Sequence, residues 1–539
     1  MIHPLVQTQK THLTRWLWVG ILLVIVGIGL RFYHLGHKVY WYDEVYTSMH
    51  VASMTRPEIR DRWGDRPFAI GELQQAQRPA AGGSLSKTID GLRRDDVHPP
   101  LYFSMVWGWA RWVGGSPAGV RSLSAVLGVL ALPLMGGVAW ALWRSPLTTG
   151  IAIGLMAVSP YHVLYAQEAR SYSLLTVLML GSSWLLLRAA RGNRSADWVG
   201  YSITVALGLY VHLFAFFVTI GHGLYLAIAH RWRWGAVCKP VQRYRWAVAA
   251  GVAAFLPWLL TSPGFLRSAG FTTRRIPPEV LAQRWLINLA MPFFDAQVSD
   301  RRQLFDVLGD GDLRLGLTSP ALWICGAIAL LSVYAPWHLW QQHRATPTDR
   351  AAWWFVLTLM AVTGLLLLLP DLILGGQRST IGRFLIPCLL GVQLAIARLF
   401  AHKLESGGGG GRSLWCTALI TLAALGIVSC SVSAQASTWW HKYSSYYQHE
   451  MAALIQQAET PLVVSNNPIR LMALSHTLPS ETAAYLYQDR LPLESLPFDA
   501  YQIFVVNPDQ DLVQAIDRQP GYRLQPVLEQ GFLWQLVRA

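Results

Sequence analysis

The chain has 539 residues, 53% of them hydrophobic and 14% charged, and a net charge of +14. Soluble domains carry about a quarter charged residues, so this composition excludes a disordered protein, a disulfide scaffold and an ordinary soluble enzyme. In a soluble chain the basic excess would suggest nucleic acid, but here many of the Lys and Arg residues sit in short loops between apolar runs, where they set membrane orientation.

A helix needs about 20 apolar residues to cross a hydrocarbon core about 30 Å thick. The first such stretch, Trp16–Phe32, runs into Arg31-Phe32-Tyr33-His34 without a small-residue cleavage site, so it is expected to be an uncleaved anchor with a cytoplasmic N-terminus. Further crossings are predicted at Val120–Trp143, Leu147–Val163, Tyr172–Leu187, Trp198–Val211, Leu213–Ala229, Trp246–Leu260, Ala321–Trp340, Ala352–Leu369, Phe384–Phe400 and Leu414–Val432, which makes eleven. Arg144, then Arg188/Arg191/Arg194, then Arg231/Arg233/Lys239/Arg243/Arg245, then Arg344/Arg350, then Lys403/Arg412 mark alternate loops as cytoplasmic. Pro100–Gly115 is short and carries Arg111 among tryptophans, so it reads as a surface-lying or re-entrant helix.

Two large segments are then expected outside: the loop His34–His98, and the tail after Thr438. In the tail, Leu462–Ser465 and Tyr501–Val506 read as strands, Gln510–Arg518 as a helix and Tyr522–Val537 as a hairpin. The predicted fold is mainly α: a polytopic membrane helix bundle over residues 1–437, with a large first extracytoplasmic loop, and a small extracytoplasmic α/β domain over 438–539. Gly407–Gly411 lacks the Lys-Ser/Thr of a phosphate loop and reads as a connector. The five cysteines have neither metal spacing nor a disulfide pattern and read as packing residues.

Several groups on the expected outer side could carry chemistry. Tyr40-Trp41-Tyr42-Asp43-Glu44 is either an amphipathic surface helix with two solvated acids or an acid whose pKa its aromatic neighbours can tune, with stacking surfaces for a sugar. Asp96-Val97-His98-Pro99-Pro100 starts a helix; His98 could serve a leaving phosphate, or share a metal with Asp96. In Glu168-Ala169-Arg170-Ser171-Tyr172, Arg170 stands at a helix N-terminus, which disfavours a cation unless an anion binds there. Arg378 and Arg383 add outer positive charge at another helix start, and His212 sits at a helix break, as structural residue or ligand.

Taken in chain order, the acidic pair after the first helix, His98-Pro99-Pro100-Leu101-Tyr102, Glu168-Ala-Arg170-Ser-Tyr172 and Arg383-Phe384-Leu385-Ile386-Pro387 resemble motifs of the GT-C glycosyltransferases. Within these the sequence looks like the protein O-mannosyltransferases, aminoarabinose transferases and lipopolysaccharide-core galacturonosyltransferases. The resemblance covers roughly residues 15–400, and the tail has none of it. It implies transfer of a sugar from a polyprenyl-phosphate carrier to a protein, lipid or polysaccharide acceptor at the outer face. Asp43 matches the catalytic acid and Glu44 its acidic neighbour. His98 falls where relatives contact donor phosphate, a role extended to Arg170, Arg378 and Arg383, with Tyr42, Tyr102, Glu168, Tyr172 and His212 expected to line the substrate. A metal-binding Glu of the aminoarabinose transferases is Val97 here, so no cofactor is assigned and a divalent metal stays open. The alternative, a transporter or flippase of lipid-linked glycans, calls for mid-membrane charges and internal repeats, whereas these charges cluster at the outer rim.

Overall fold

The computed structural model describes residues 3–79, 83–95, 98–230, 238–262, 270–298, 319–342, 346–406, 408–528 and 531–538. Asp96, Val97, Arg231, Arg233, Arg344 and Gly407 lie outside the described residues. The chain forms two compact units: Met1–Leu35, His98–Tyr102 and Arg121–Gln435 make one, and Gly36–Val97, Phe103–Val120 and Ala436–Ala539 make the other.

The first unit is helical, because its long apolar runs can satisfy their backbone hydrogen bonds only within each segment once in lipid. Among the described residues, six helices are long and apolar enough to cross a membrane: Pro117–Trp143, Tyr172–Gly192, Pro320–Gln342, Pro347–Leu374, Gly382–Ser406 and Gly410–Ser445. A seventh candidate is a bent pair, Pro146–Ala157 and Pro160–Ala166, angled by 54°. The other predicted stretches are helical too, but Trp18–Phe32, Ser195–Leu209 and Ala215–Ala229 are shorter, and Lys239–Thr261 opens on a basic turn.

The bend has a physical cause. Pro160 cannot continue the preceding helix and starts a new one. The carbonyls left over at the end of Pro146–Ala157 are taken by the fully buried Arg31, whose guanidinium donates to Met156 O at 3.1 Å and Ala157 O at 2.6 Å. Gly27 permits this approach, since a Cβ there would collide with the Ala157 carbonyl. Gln167 Nε2 in turn donates to Leu30 O at 2.7 Å and Tyr33 O at 3.0 Å, closing the end of the first helix.

The second unit is built on a six-stranded sheet of order β1-β3-β2-β4-β6-β5. The strands are β1 Pro67–Ala69, β2 Pro461–Ser465, β3 Ala483–Leu486, β4 Gln502–Val506, β5 Tyr522–Pro526 and β6 Leu533–Arg538. β2 runs parallel to β3 and β4, and β5–β6 is the expected hairpin. The unit is larger than the tail, because β1 from the first loop pairs antiparallel with β3, Phe68 opposite Ala484. A sheet edge with unpaired backbone groups recruits a strand wherever the chain offers one. The helices Tyr42–Val51, Arg56–Trp63 and Gly71–Gln75, from the same loop, pack on the tail's helix Pro468–Leu474.

Candidate active site

In the helical unit, His98 immediately precedes the Pro99-Pro100 start of the helix Leu101–Val113, and Leu101 N–H donates to Tyr210 O at 3.1 Å. At 13 residues this helix is too short to span, as the sequence suggested. Arg170 occupies the tight turn between Pro160–Ala166 and Tyr172–Gly192. Its carbonyl accepts from Ser124 Oγ at 3.2 Å, and that hydroxyl accepts in turn from the buried Tyr102 OH at 2.8 Å. Arg170 Nη2 donates to His98 Nε2 at 2.8 Å. A guanidinium can only donate, so this imidazole nitrogen accepts and the ring proton belongs on Nδ1. Glu168, two residues before, is buried as well.

Arg383 joins the same cluster from the start of Ile386–Ser406, its guanidinium 5.8 Å from the ring centres of Tyr172 and Phe384. Tyr161 OH donates to Gly382 O at 2.8 Å, and Tyr165 bridges the rings of Tyr161 and Tyr172, each pair 5.0 Å apart. His212 lies at the break between Ser195–Leu209 and Ala215–Ala229, with its Nδ1 accepting the Phe214 N–H at 3.2 Å and its ring 6.2 Å from Phe384. Loss of hydration, then the positive fields of His98, Arg383 and Arg170, pull this imidazole down to about 3, so the neutral ring presents Nε2–H. His98, Arg170, His212 and Arg383 are therefore brought together, with Tyr172 as an aromatic wall.

Arg378 is engaged differently. Its Nη1 donates to Asp371 Oδ1 at 3.0 Å and to Gly375 O at 3.2 Å, while Asp371 Oδ2 takes both the N–H and the hydroxyl of Ser379 at 2.7 Å. Arg284, bound to the Gln377 side chain at 2.7 Å, and Asn288, bound to Thr380 O at 2.9 Å, secure the same loop. The loop is thus clamped on both sides of the turn that leads to Arg383.

Tyr42, Asp43 and Glu44 belong to the other unit, in the first turn of the helix Tyr42–Val51. A helix N-terminus favours carboxylates. Neighbouring residues on a helix point about 100° apart, and the two acids have separate surroundings. Glu44 has no exposed side-chain surface: its Oε2 accepts from Lys442 Nζ at 2.9 Å and from the Trp41 N–H at 3.5 Å. Asp43 is half-buried, and Tyr42 packs edge-on against Tyr46 at 5.5 Å, with its backbone N–H on Ser445 Oγ at 3.3 Å. The picture of two solvated acids thus fails for Glu44. Lys442 was missed in the sequence; a single Lys inside Trp439-Trp440-His441-Lys442-Tyr443 was the available signal. Among the described residues, no three His, Cys, Asp or Glu side chains are grouped so as to hold a metal.

Residues 97–260 match the Dolichyl-phosphate-mannose-protein mannosyltransferase family. The Archaeoglobus fulgidus oligosaccharyltransferase in its apo form is similar at a TM-score of 0.50 and 13% identity, over 97% of this chain and 74% of that one. The family match spans less than half of the chain. The oligosaccharyltransferase AglB from Archaeoglobus fulgidus in complex with an inhibitory peptide and a dolichol-phosphate gives a TM-score of 0.50 at 12% identity, over 96% and 74% of the two chains. ArnT from Cupriavidus metallidurans bound to undecaprenyl phosphate gives 0.48 at 12% identity, over 97% and 98%. At such identities the structural likeness is one of fold. No protein of curated function matches by sequence. The family match and the apolar helices together support a multi-pass membrane glycosyltransferase.

Proposed function

We propose that this glycosyltransferase moves a hexose or pentose from a polyprenyl-phosphate carrier to an acceptor protein, lipid or glycan at the extracytoplasmic face, with inversion. The observation that carries the reading is the cluster of Arg170, Arg383, His98 and neutral His212, which offers charge and N–H donors to one phosphate. The matched family's name describes a dolichyl-phosphate sugar, and the archaeal AglB structure is a complex with a dolichol-phosphate; both support a lipid-linked donor. Alternation of basic loops supports eleven crossings, a cytoplasmic N-terminus and an outward-facing site and α/β unit. An outer-face transferase also needs a donor that crosses while lipid-attached, because sugar nucleotides are made in the cytoplasm.

In the step envisaged, the acceptor hydroxyl or amine attacks the anomeric carbon as the bond from that carbon to the phosphate oxygen breaks. Asp43 takes the acceptor's proton. Polyprenyl phosphate leaves with the bonding electrons, and Arg170, Arg383 and His98 stabilise its growing negative charge. One displacement through an oxocarbenium-like state inverts the centre. Glu44, held by Lys442, acts as a positioning residue for Asp43. Tyr102 acts through Ser124 on Arg170, and Arg378 holds the loop that carries Arg383. Glu168, Tyr172, Tyr42 and His212 are assigned to the substrate's surroundings. Asp43→Asn should lower release of free polyprenyl phosphate from labelled donor by about 10²- to 10⁴-fold with expression unchanged. Wild-type turnover in that variant would reject Asp43 as the base.

A further inference from the structure

The parallel part of the sheet contains a change of direction. From β2 the chain passes through the helix Pro468–Leu474 to β3 on one side, then returns past β2 to β4 on its other side. The helix after β4, Gln510–Asp517, packs Leu512, Val513 and Ile516 on the sheet face that carries Leu462, Val464, Ile503 and Val505. The helix after β2 packs elsewhere, on the first-loop helices. Connections that leave neighbouring parallel strands toward opposite faces open a crevice at the strands' carboxyl ends, where open α/β sheets bind ligands.

The residues at this place are polar and reach across it. Arg470, on the helix after β2, donates from Nη1 to Asn507 O just past β4 at 2.9 Å. Asn466, just past β2, donates from Nδ2 to Asp509 Oδ2 at 3.4 Å. Asn507 adopts φ 47°, a left-handed conformation that Asn tolerates better than most residues. Among the described residues, Arg470 Nε has no hydrogen-bond partner, and an open donor beside such a crevice is available to an acceptor brought by a ligand. Burial lowers the pKa of this guanidinium more than Tyr42, Asp509 and Tyr487 raise it, and the helix that begins with Tyr42 packs on the helix that carries Arg470. Tyr42 directly precedes Asp43.

We propose that this crevice, formed by Tyr42, Asn466, Arg470, Asn507 and Asp509, binds a carbohydrate and is the acceptor subsite of the transferase. The acceptor role rests on the reaction proposed above; the carbohydrate class rests on the chemistry here. One cation beside one carboxylate leaves little net charge to select an anion. Guanidinium and amide N–H donors next to carboxylate and carbonyl acceptors suit a hydroxyl, which both gives and takes a hydrogen bond. The Tyr42 ring adds an apolar face with a polar tip. An extended peptide would rather add to an edge strand, β1 or β5, than lie across strand ends.

The full-length protein in detergent, applied to arrayed neutral and acidic oligosaccharides, tests this. Wild type should retain a subset of them, and Arg470→Met and Asp509→Asn should each weaken that retention about tenfold or more, as expected for one charge-assisted contact. The Asp509 side chain is exposed, so its variant still decides the matter if Arg470→Met fails to fold. Absence of any retained oligosaccharide, undiminished retention in Asp509→Asn, or capture of peptides instead would overturn the proposal. Release of polyprenyl phosphate from labelled donor by wild type is read separately. Release without oligosaccharide binding removes the crevice alone; absence of release removes the transfer reaction and the acceptor role with it.

Discussion

Lys442 and Arg170 are both cations buried from solvent, one in each compact unit, and the fold uses them differently. Lys442 meets Glu44 with no side-chain surface exposed on either partner. Arg170 donates to the ring nitrogen of His98, a contact that removes none of its charge. The same contrast separates Arg378, clamped on Asp371, from Arg383, whose guanidinium lies beside the rings of Tyr172 and Phe384. A cation matched to a buried carboxylate holds the scaffold. Arg170 and Arg383, set against imidazole and aromatic rings, are the cations proposed above to meet the donor phosphate.

The largest effect that would break this contrast is on stability. Lys442→Met strands a buried carboxylate and should cost about 3–5 kcal/mol, read as a fall in Tm, with Lys442→Met/Glu44→Leu recovering much of it. If Lys442→Met keeps the wild-type Tm, the pair is not the scaffold element described. Arg170→Met should instead leave Tm nearly unchanged while lowering kcat/KM for the prenyl-phosphate donor by about 10²- to 10³-fold. A loss seen only in acceptor KM would count against a phosphate role. Tyr102→Phe removes one buried hydrogen bond, about 0.5–1.5 kcal/mol, and should lower activity modestly through Arg170; an effect as large as that of Arg170→Met would give Tyr102 direct contact with substrate. The smallest effect concerns acid. Unfolded His212 takes a proton near 6.5 and the folded ring only near 3, so the folded state loses stability as pH falls through that window. His212→Gln should flatten the slope, and an unchanged acid-unfolding curve would show that the ring is not held neutral.

Much of the helical unit was legible because apolar length is a local property. Each predicted stretch is helical, and the breaks at Ser159–Pro160 and His212 fall in or between the stretches. The cluster of His98, Arg170 and Arg383 could be anticipated because each stands at a helix start or tight turn, which sequence marks with proline, serine and charge. Roles within it were less legible. Nothing local separates Arg378 from Arg383, five residues apart, since the difference lies in Asp371 and in the rings of Tyr172 and Phe384.

The amino-acid sequence alone determined that this is a membrane helix bundle with an α/β tail, because hydrophobic length and strand alternation act within a few residues. Tertiary structure alone decided that β1 joins the tail's sheet, that Arg31 caps a helix over a hundred residues away, and that Glu44 is tied to Lys442 across a separation of 398. Each of those choices satisfies a backbone edge, a carbonyl or a charge whose partner is distant in the chain. Such a partner is selected by which groups the packed fold leaves facing one another, and no local pattern carries that information.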